Sequence, residues 1–577
     1  MIQEKGAQRI SLILLGAYLI LGLNLFRMQI LKWNYYFDLS EKNRLRVVYL
    51  EGTRGKVFDR NGLMLATSRL SFNCSVVPRQ ARKTIVQSCE AIGTILGIDP
   101  NELEKRFQKK KPGAYNSVLL AQDITQTQAM AIEERLDNLP GFMIETRPQR
   151  EYPFGEAAAH IIGYTGPMTE GEIDELEDSG YRAADWIGRE GIERSQESFL
   201  RGYSGGIQME VDSRGRMLRA MGVKEPREGK DIELTIDAKL QAYVQKLLSG
   251  QKGAVIVMEL GEGGILSMNS TPTFDPNLFA SALGRKEIGK YFTDSNAPLV
   301  NRAIRGAYPA GSIFKIVTAM AALDRHKITP STSVNCPGHL IVGGIKFRCA
   351  RESGHGAQAL TEAFAHSCNV YFYTIGLWAG ADAIYEKAVA FGFARATGID
   401  LPQEKDGFVP SKEWKKFKRH EAWFEGDTAN LAIGQGSLQI TPVQALDMVA
   451  VVASDGLLYR PHLVNKINGV KVGERQARKI GLDIDHLQMV KRGLDAVVNT
   501  PTGTGRLAQT PGMHIAGKTG TAQSGKAQNH AWFVSYAPFE SPKIAVCVFL
   551  EHGGHGGVEG AKIAHWIYNW LGSAGYL

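Results

Sequence analysis

Seventeen consecutive residues without a charge, Ile10–Phe26, read ISLILLGAYLILGLNLF near the start of this chain. A membrane-crossing helix needs about 20 mostly apolar residues, with a lower limit near ~17. Continuing through Met28, Gln29, Ile30 and Leu31 supplies that length if the Arg27 side chain snorkels to the interface. A cleaved signal peptide is the competing reading. Against it, no Ala-x-Ala-like site follows, and Arg27 stands where cleavage would fall. Residues 10–31 are therefore expected to be an uncleaved signal anchor behind a cytoplasmic tail, 1–9. Charge barely sets its orientation, because Lys5 and Arg9 precede it and Arg27 and Lys32 follow it.

The remaining chain, in a total of 577 residues, is long enough for about three or four units. Its 44% hydrophobic and 22% charged residues suit a sizeable core. The net charge of +8 is mild for this length. The short basic runs Lys109–Lys111 and Lys415–Arg419 read as solvated faces, and no basic stripe interleaved with aromatics argues for a nucleic-acid partner. Six cysteines are too few for a disulfide scaffold.

Arg54–Gly62 reads as a hairpin around an Asn-Gly turn. Residues 82–140 carry helical patterns, clearest at Thr84–Leu96. Gly188–Gly202 reads as a turn and a short helix, and the polar stretch Val223–Lys230 as a linker. Beyond it come a strand at Ile232–Ile236, an Asp237-capped helix over Ala238–Leu248 and a buried strand at Gly253–Leu260. Alternating helices and strands follow, ending in a strand at Ile544–Leu550 and a helix at Ala561–Leu571.

Chemistry concentrates in Tyr308-Pro-Ala-Gly-Ser312-Ile-Phe-Lys315, where Pro309 and Gly311 break structure ahead of a helical pattern running to Leu323. Ser312 thus falls at a helix N-terminus, with Lys315 on the same face one turn on. A serine hydroxyl needs a base, and a lysine serves if burial lowers its pKa. Ser249-Gly-Gln-Lys252 has the same spacing, but Gly250 there reads as a helix stop. Ser367-Cys-Asn369 supplies a second hydroxyl and an amide. Lys518-Thr519-Gly520-Thr521 follows a strand-like Ile515–Gly517 and supplies charge, hydroxyls and a close backbone approach.

The three motifs in this order resemble the penicillin-binding and β-lactamase superfamily, with Ser-Cys-Asn in place of the usual Ser-Asp-Asn. The whole chain resembles a class B penicillin-binding protein. Arg54–Gly62 and Gly188–Gly202 look like pedestal motifs of that class. Tyr308–Lys315, Gly426-Asp-Thr-Ala-Asn-Leu-Ala-Ile-Gly-Gln-Gly436 and His530-Ala-Trp-Phe533 look like its elongation type. Ile313 departs from the usual threonine and Ala310 from a frequent proline, and neither removes a reacting group.

The resemblance implies an α+β fold. A penicillin-binding transpeptidase domain at 231–577, an antiparallel sheet flanked by helices plus an α-helical subdomain, would follow an elongated α+β pedestal at 32–230. It also implies D,D-transpeptidation of peptidoglycan stem peptides. In that reaction Ser312 is acylated, Lys315 is its base, Ser367 relays a proton with Lys518, and Asn369 orients the substrate. Lys518, Thr519 and Thr521 bind its carboxylate, and the Ser312 and Thr521 amides form the oxyanion hole. β-Lactams would acylate the same serine. A SEDS-type membrane glycan polymerase and other elongation-complex proteins would be partners, at the bacterial inner membrane with the catalytic domain outside the cytoplasm. A carboxypeptidase or β-lactamase of the superfamily and a catalytically idle scaffold are the alternatives. The anchor and pedestal argue against the β-lactamase, and the intact motif set argues against idleness.

No cofactor is expected for the chemistry. Cys336, Cys349, His355 and Cys368, spaced C-x12-C-x5-H-x12-C, are candidate ligands of a structural Zn²⁺. His339 and His366 compete for that role, free thiols or one disulfide would be the plain alternative, and Cys74 and Cys89 are a second candidate disulfide.

Overall fold

The computed structural model describes residues 2–81, 84–109, 117–181, 185–211, 217–281, 285–473, 477–525 and 528–577. Of the Lys109–Lys111 run, Lys110 and Lys111 lie outside them. The chain divides into two compact units, one of Met1–Arg54 with Arg201–Gly229 and one of Gly55–Leu200 with Lys230–Leu577.

In the first unit a helix spans Ile2–Phe26, and Ile10–Leu31 is long and apolar enough to cross a membrane. Leu45–Leu50, Gly205–Val211 and Met217–Lys224 form an antiparallel three-stranded sheet. The expected linker at 223–230 is partly structured. Its first two residues end a strand, and Arg227 exchanges backbone hydrogen bonds with Tyr203.

The second unit holds the catalytic motifs. Its central sheet is antiparallel, with β1 (Gly253–Glu259), β2 (Gly264–Thr271), β3 (Ala516–Ala522), β4 (His530–Ala537) and β5 (Ile544–Leu550) in the order β2-β1-β5-β4-β3. Every residue of β4 and β5 is buried, which is why β5 reads as an unbroken apolar run rather than an alternation. The helices α4 (Pro442–Ala453) and α6 (Ala561–Ser573) both pack on it. β3 lies at the sheet's edge, paired with β4 on one side and, among the described residues, with no strand on the other.

A mainly helical region separates β2 from β3, so helices and strands do not alternate there as expected. It contains α1 (Lys315–Asp324), α2 (Asn369–Ala379), α3 (Glu425–Ala432) and α5 (Ile484–Asn499). Nine of the ten residues of α1 are buried, and it packs against α2 and α5.

Local signals mostly hold. The Asp237 carboxylate accepts from the amides of Lys239 and Leu240 and caps a helix over Ala238–Leu247. The Asn61-Gly62 turn closes Val57–Phe58 onto Met64–Val76. The stretch 82–140 is not wholly helical, because Val118–Ile124 is a strand paired with Met64–Val76. Pairing with a partner some fifty residues earlier overrides a weak local preference. Val57–Phe58 also pairs with Ile232–Leu234, so residues expected to belong to the pedestal and to the catalytic domain share one sheet. Cys74 and Cys89 are free thiols buried in the core between that sheet and the helix Ile85–Leu96.

Candidate active site

The serine loop is clamped from three sides before any side chain reacts. Tyr308 exchanges backbone hydrogen bonds with Ile440 (2.9 and 2.8 Å), and the Gly311 amide donates to the Gly434 carbonyl (2.9 Å). The Trp532 indole N–H of β4 donates to the Pro309 carbonyl (3.0 Å). Gly311 has φ +56°, and a Cβ there would stand 2.7 Å from the Thr521 carbonyl oxygen. Glycine alone permits both that conformation and that approach to β3. The contact brings the amides of Ser312 and Thr521 into one neighbourhood.

Ser312 lies in a tight turn, Gly311–Phe314, that opens α1. The helix therefore starts more tightly wound than a regular α pattern anticipates, with Lys315 as its first α-helical residue. Lys315 is fully buried, and its Nζ donates to the Ser367 carbonyl (2.8 Å), Ser367 Oγ (3.2 Å) and Asn369 Oδ1 (2.8 Å). Burial lowers its pKa to about 8, a shift that negative charge on Cys368 and Cys349 opposes. At that value a useful fraction of the amine is neutral near physiological pH.

Lys518 is also fully buried on β3. Its Nζ donates to Ser367 Oγ (2.9 Å) and to the Thr519 carbonyl (2.9 Å). Burial, with the positive charge of Lys315 added, holds its pKa well below the usual lysine value. Ser367 Oγ thus accepts from both lysines and sits between them. Ser367 has φ +52°, an uncommon conformation for a residue with a side chain. Strain of this kind at a reacting group suits a fixed position. The Asn369 side-chain amide donates to the Arg348 carbonyl (3.3 Å), which orients it.

All the motif residues come together here. Gly520 packs for a reason that its motif does not reveal. A Cβ there would stand 2.9 Å from Trp532 Cβ and 3.0 Å from Ile313 Cγ2, so this glycine seats β3 against the serine turn. Ser249 and Lys252 fall in the turn after the 238–247 helix, where Gly250 has φ +75° and Lys252 pairs with Glu551. That second Ser-x-x-Lys is a structural corner.

Thr504 went unread in the sequence, and Gly434 was read only as part of the 426–436 block. Thr504 Oγ1 lies 2.9 Å from Thr519 Oγ1 and aligns the hydroxyls beside Lys518. Gly434 has φ +73° and fits where a Cβ would press to 2.2 Å of the Gly311 carbonyl oxygen. The only local signal for the first was the turn-forming Pro501-Thr-Gly-Thr504.

Beside the site, ligand atoms of Cys336, Cys349, His355 and Cys368 all lie within 4.8 Å of one another. His355 Nδ1 is 3.6 Å from Cys336 Sγ and 3.5 Å from Cys349 Sγ, and the Cys349 and Cys368 sulfurs are 3.9 Å apart. The hydrogen bond shared by the two sulfurs favours ionisation of Cys349 and disfavours that of Cys368. His366 is tied instead to Gln358 Oε1 (2.7 Å) and Thr502 Oγ1 (2.9 Å).

A buried lysine in the place of a histidine–carboxylate pair, one turn beyond a serine, marks the serine acyltransferases of the Ser-x-x-Lys type. Within that class the chain belongs to the penicillin-binding proteins. Residues 253–569 match the penicillin binding protein transpeptidase domain, and 49–234 match the penicillin-binding protein dimerisation domain. The peptidoglycan D,D-transpeptidase MrdA of Haemophilus influenzae is 32% identical, over 98% of this chain and 91% of that protein. A solved complex between penicillin-binding protein PBP2 and MreC from Helicobacter pylori contains a chain 29% identical, with TM-score 0.84, covering 92% of this chain and 100% of that one. A structure on the coordination of polymerization and crosslinking by a peptidoglycan synthase complex contains another, 29% identical with TM-score 0.74, covering 97% of each.

Proposed function

We infer that the chain is a peptidoglycan D,D-transpeptidase of the elongation type. The observation that carries this reading is the shared contact of Lys315 and Lys518 on Ser367 Oγ, one helical turn from Ser312. Ser312 Oγ attacks the carbonyl carbon between two terminal D-alanines, and Lys315 takes its proton. The amides of Ser312 and Thr521 hold the developing oxyanion, a term worth ~3–4 kcal/mol per donor. The C–N bond breaks, and the leaving D-alanine nitrogen receives a proton through Ser367 and Lys518. Asn369 orients the substrate amide, and Thr519 and Thr521 bind the terminal carboxylate beside Gly520. The amine of a second stem attacks the ester, a new amide forms, and Ser312 regains a proton. β-Lactams acylate the same oxygen.

The domain assignment that goes with this reading is a tail at 1–9, an anchor at 10–31, a pedestal at 32–230 and a catalytic domain at 231–577. The substrate places that domain outside the cytoplasm, with the anchor in the inner membrane. The solved PBP2–MreC and synthase complexes support elongation-complex partners, and a SEDS-type glycan polymerase is the finer proposal.

Cys336, Cys349, His355 and Cys368 would hold Zn²⁺ as a structural ion. Tetrahedral bonds of about 2.3 Å to sulfur and 2.0–2.1 Å to nitrogen give edges of roughly 3.8 and 3.6 Å. Three of the six separations, 3.9, 3.6 and 3.5 Å, lie near those edges, and all six are within 4.8 Å. Such an ion would fix Cys368 between Ser367 and Asn369.

The test of the reaction is mapping of a fluorescent penicillin on the full chain. Label on Ser312 that disappears in Ser312→Ala is expected. Label that persists in that variant would move the nucleophile elsewhere.

A further inference from the structure

On the Asn369 side of the cleft, the wall continues beyond the reacting groups. Arg348, whose carbonyl orients Asn369, ends a hairpin of His339–Val342 and Ile345–Arg348. Its neighbour Phe347 packs edge-on against Tyr373 of α2 and reaches the start of α3, where a Cβ on Gly426 would meet its ring at 3.3 Å. Helix α3 runs along this wall. Past its C-terminal end, Gly434 holds the serine loop, and Phe424 stands immediately ahead of its N-terminal end. Eight helical residues span about 12 Å. Phe424 therefore marks a position roughly one short peptide away from the serine loop along the same wall.

The surface at that position is unusual in composition. Phe424 is 65% exposed and Phe417 67% exposed, although large aromatic rings are normally covered. Lys415 is anchored by Asp427 (2.6 Å) and lies over the Phe424 ring, and Lys416 lies over Phe417. Lys416, Lys418 and Arg419 are exposed, and they form no ion pair among the described residues. Two largely exposed rings beside three cations that have no ion pair among the described residues make a patch of mixed apolar and basic character suited to a ligand.

We propose that Phe417 and Phe424, with Lys416, Lys418 and Arg419, form a subsite for the polymeric peptidoglycan strand, holding it while a stem peptide reaches Ser312. This rests on the transpeptidase reading above. Aromatic faces suit the apolar faces of sugar rings, and the cations suit the free carboxylates of stem peptides. Helix α3 connects this surface to the serine loop, and its three cations outnumber the exposed Glu421 and Glu425, which leaves a charge opposite to that of the strand. Binding energy from such a remote contact is available to position the reacting carbonyl. A small β-lactam would not reach it.

The experiment uses the full-length protein in detergent and two substitution sets, Phe417→Ala with Phe424→Ala, and Lys416→Glu with Lys418→Glu. Sedimentation with purified peptidoglycan sacculi is measured beside the rate of fluorescent-penicillin labelling. The aromatic pair should lower sacculus binding at least about tenfold. The charge-reversed pair should lower it similarly and flatten its salt dependence. Both should keep wild-type labelling, which also reports that they fold. Sacculus binding that survives both sets overturns the proposal, and so does labelling that falls in parallel with binding, since the damage would then be to the site itself. Failure of the wild type to be labelled would instead strike the transpeptidase reading, and sacculus binding would still judge the subsite.

Discussion

Replacing Ser367 by alanine or by glycine separates its chemistry from its strain. Its Oγ accepts from Lys315 (3.2 Å) and Lys518 (2.9 Å), both fully buried. Either substitution removes that acceptor, and a hydrogen bond to a charged group is worth about 1.5–3 kcal/mol. Each lysine keeps other acceptors, Ser367 O and Asn369 Oδ1 for Lys315 and the Thr519 oxygens for Lys518, so the loss should sit near the lower end. Alanine would keep the strained φ of +52°, whereas glycine would relieve about 1 kcal/mol of it. Ser367→Gly should therefore unfold at a higher denaturant concentration than Ser367→Ala. Both should acylate with penicillin about 10²–10⁴-fold more slowly than wild type, the usual scale for a lost proton-transfer group. Stopped-time labelling on gels measures the rate and urea titration the stability. Acylation within tenfold of wild type in either variant would refute the relay. Equal stability of the two variants would refute the strain.

Other perturbations test the surrounding geometry. Gly311→Ala must drive a Cβ against the Thr521 carbonyl from a left-handed backbone, at about 2–5 kcal/mol, and wild-type labelling in that variant would contradict the clamp. With Lys315 lowered from 10.5 to about 8, acylation should rise about tenfold per pH unit below 8 and level off above it. In the same group the unfolded chain holds the proton more tightly, so stability should rise as pH climbs from about 8 to 10.5, and a flat labelling profile between pH 6.5 and 8.5 would remove Lys315 as the base. Elemental analysis of the purified protein should find one zinc per chain, lost in Cys349→Ser with Cys368→Ser, and no metal in the wild type would return the cluster to free thiols. Asp237→Ala should cost about 1–2 kcal/mol, because its carboxylate caps a helix and accepts from Tyr576, and an unchanged urea midpoint would contradict that role.

Local patterns in the sequence were enough for the apolar N-terminal helix, the Asp237 cap, the Asn61-Gly62 turn and the buried strand at 544–550, since each depends on neighbours within a few residues. The order of the three motifs likewise singled out side chains that the fold brings together, with Lys315 and Lys518 both on Ser367 Oγ. The sequence set the Ser-x-x-Lys at 312–315 apart from the corner at 249–252 through Gly250 and the end of a helix there. It did not reveal the strand at 118–124, which exists only through pairing with 64–76. Nor did it reveal Thr504, or the contact of Gly434 with the serine loop, since their neighbours Thr519 and Gly311 come from other segments. The sharing of Ser367 Oγ by two buried lysines and the seat of Gly520 on Ile313 and Trp532 were decided by tertiary structure. Each requires segments distant in the chain to be brought to hydrogen-bond or van der Waals distance, and only the packed core supplies that constraint.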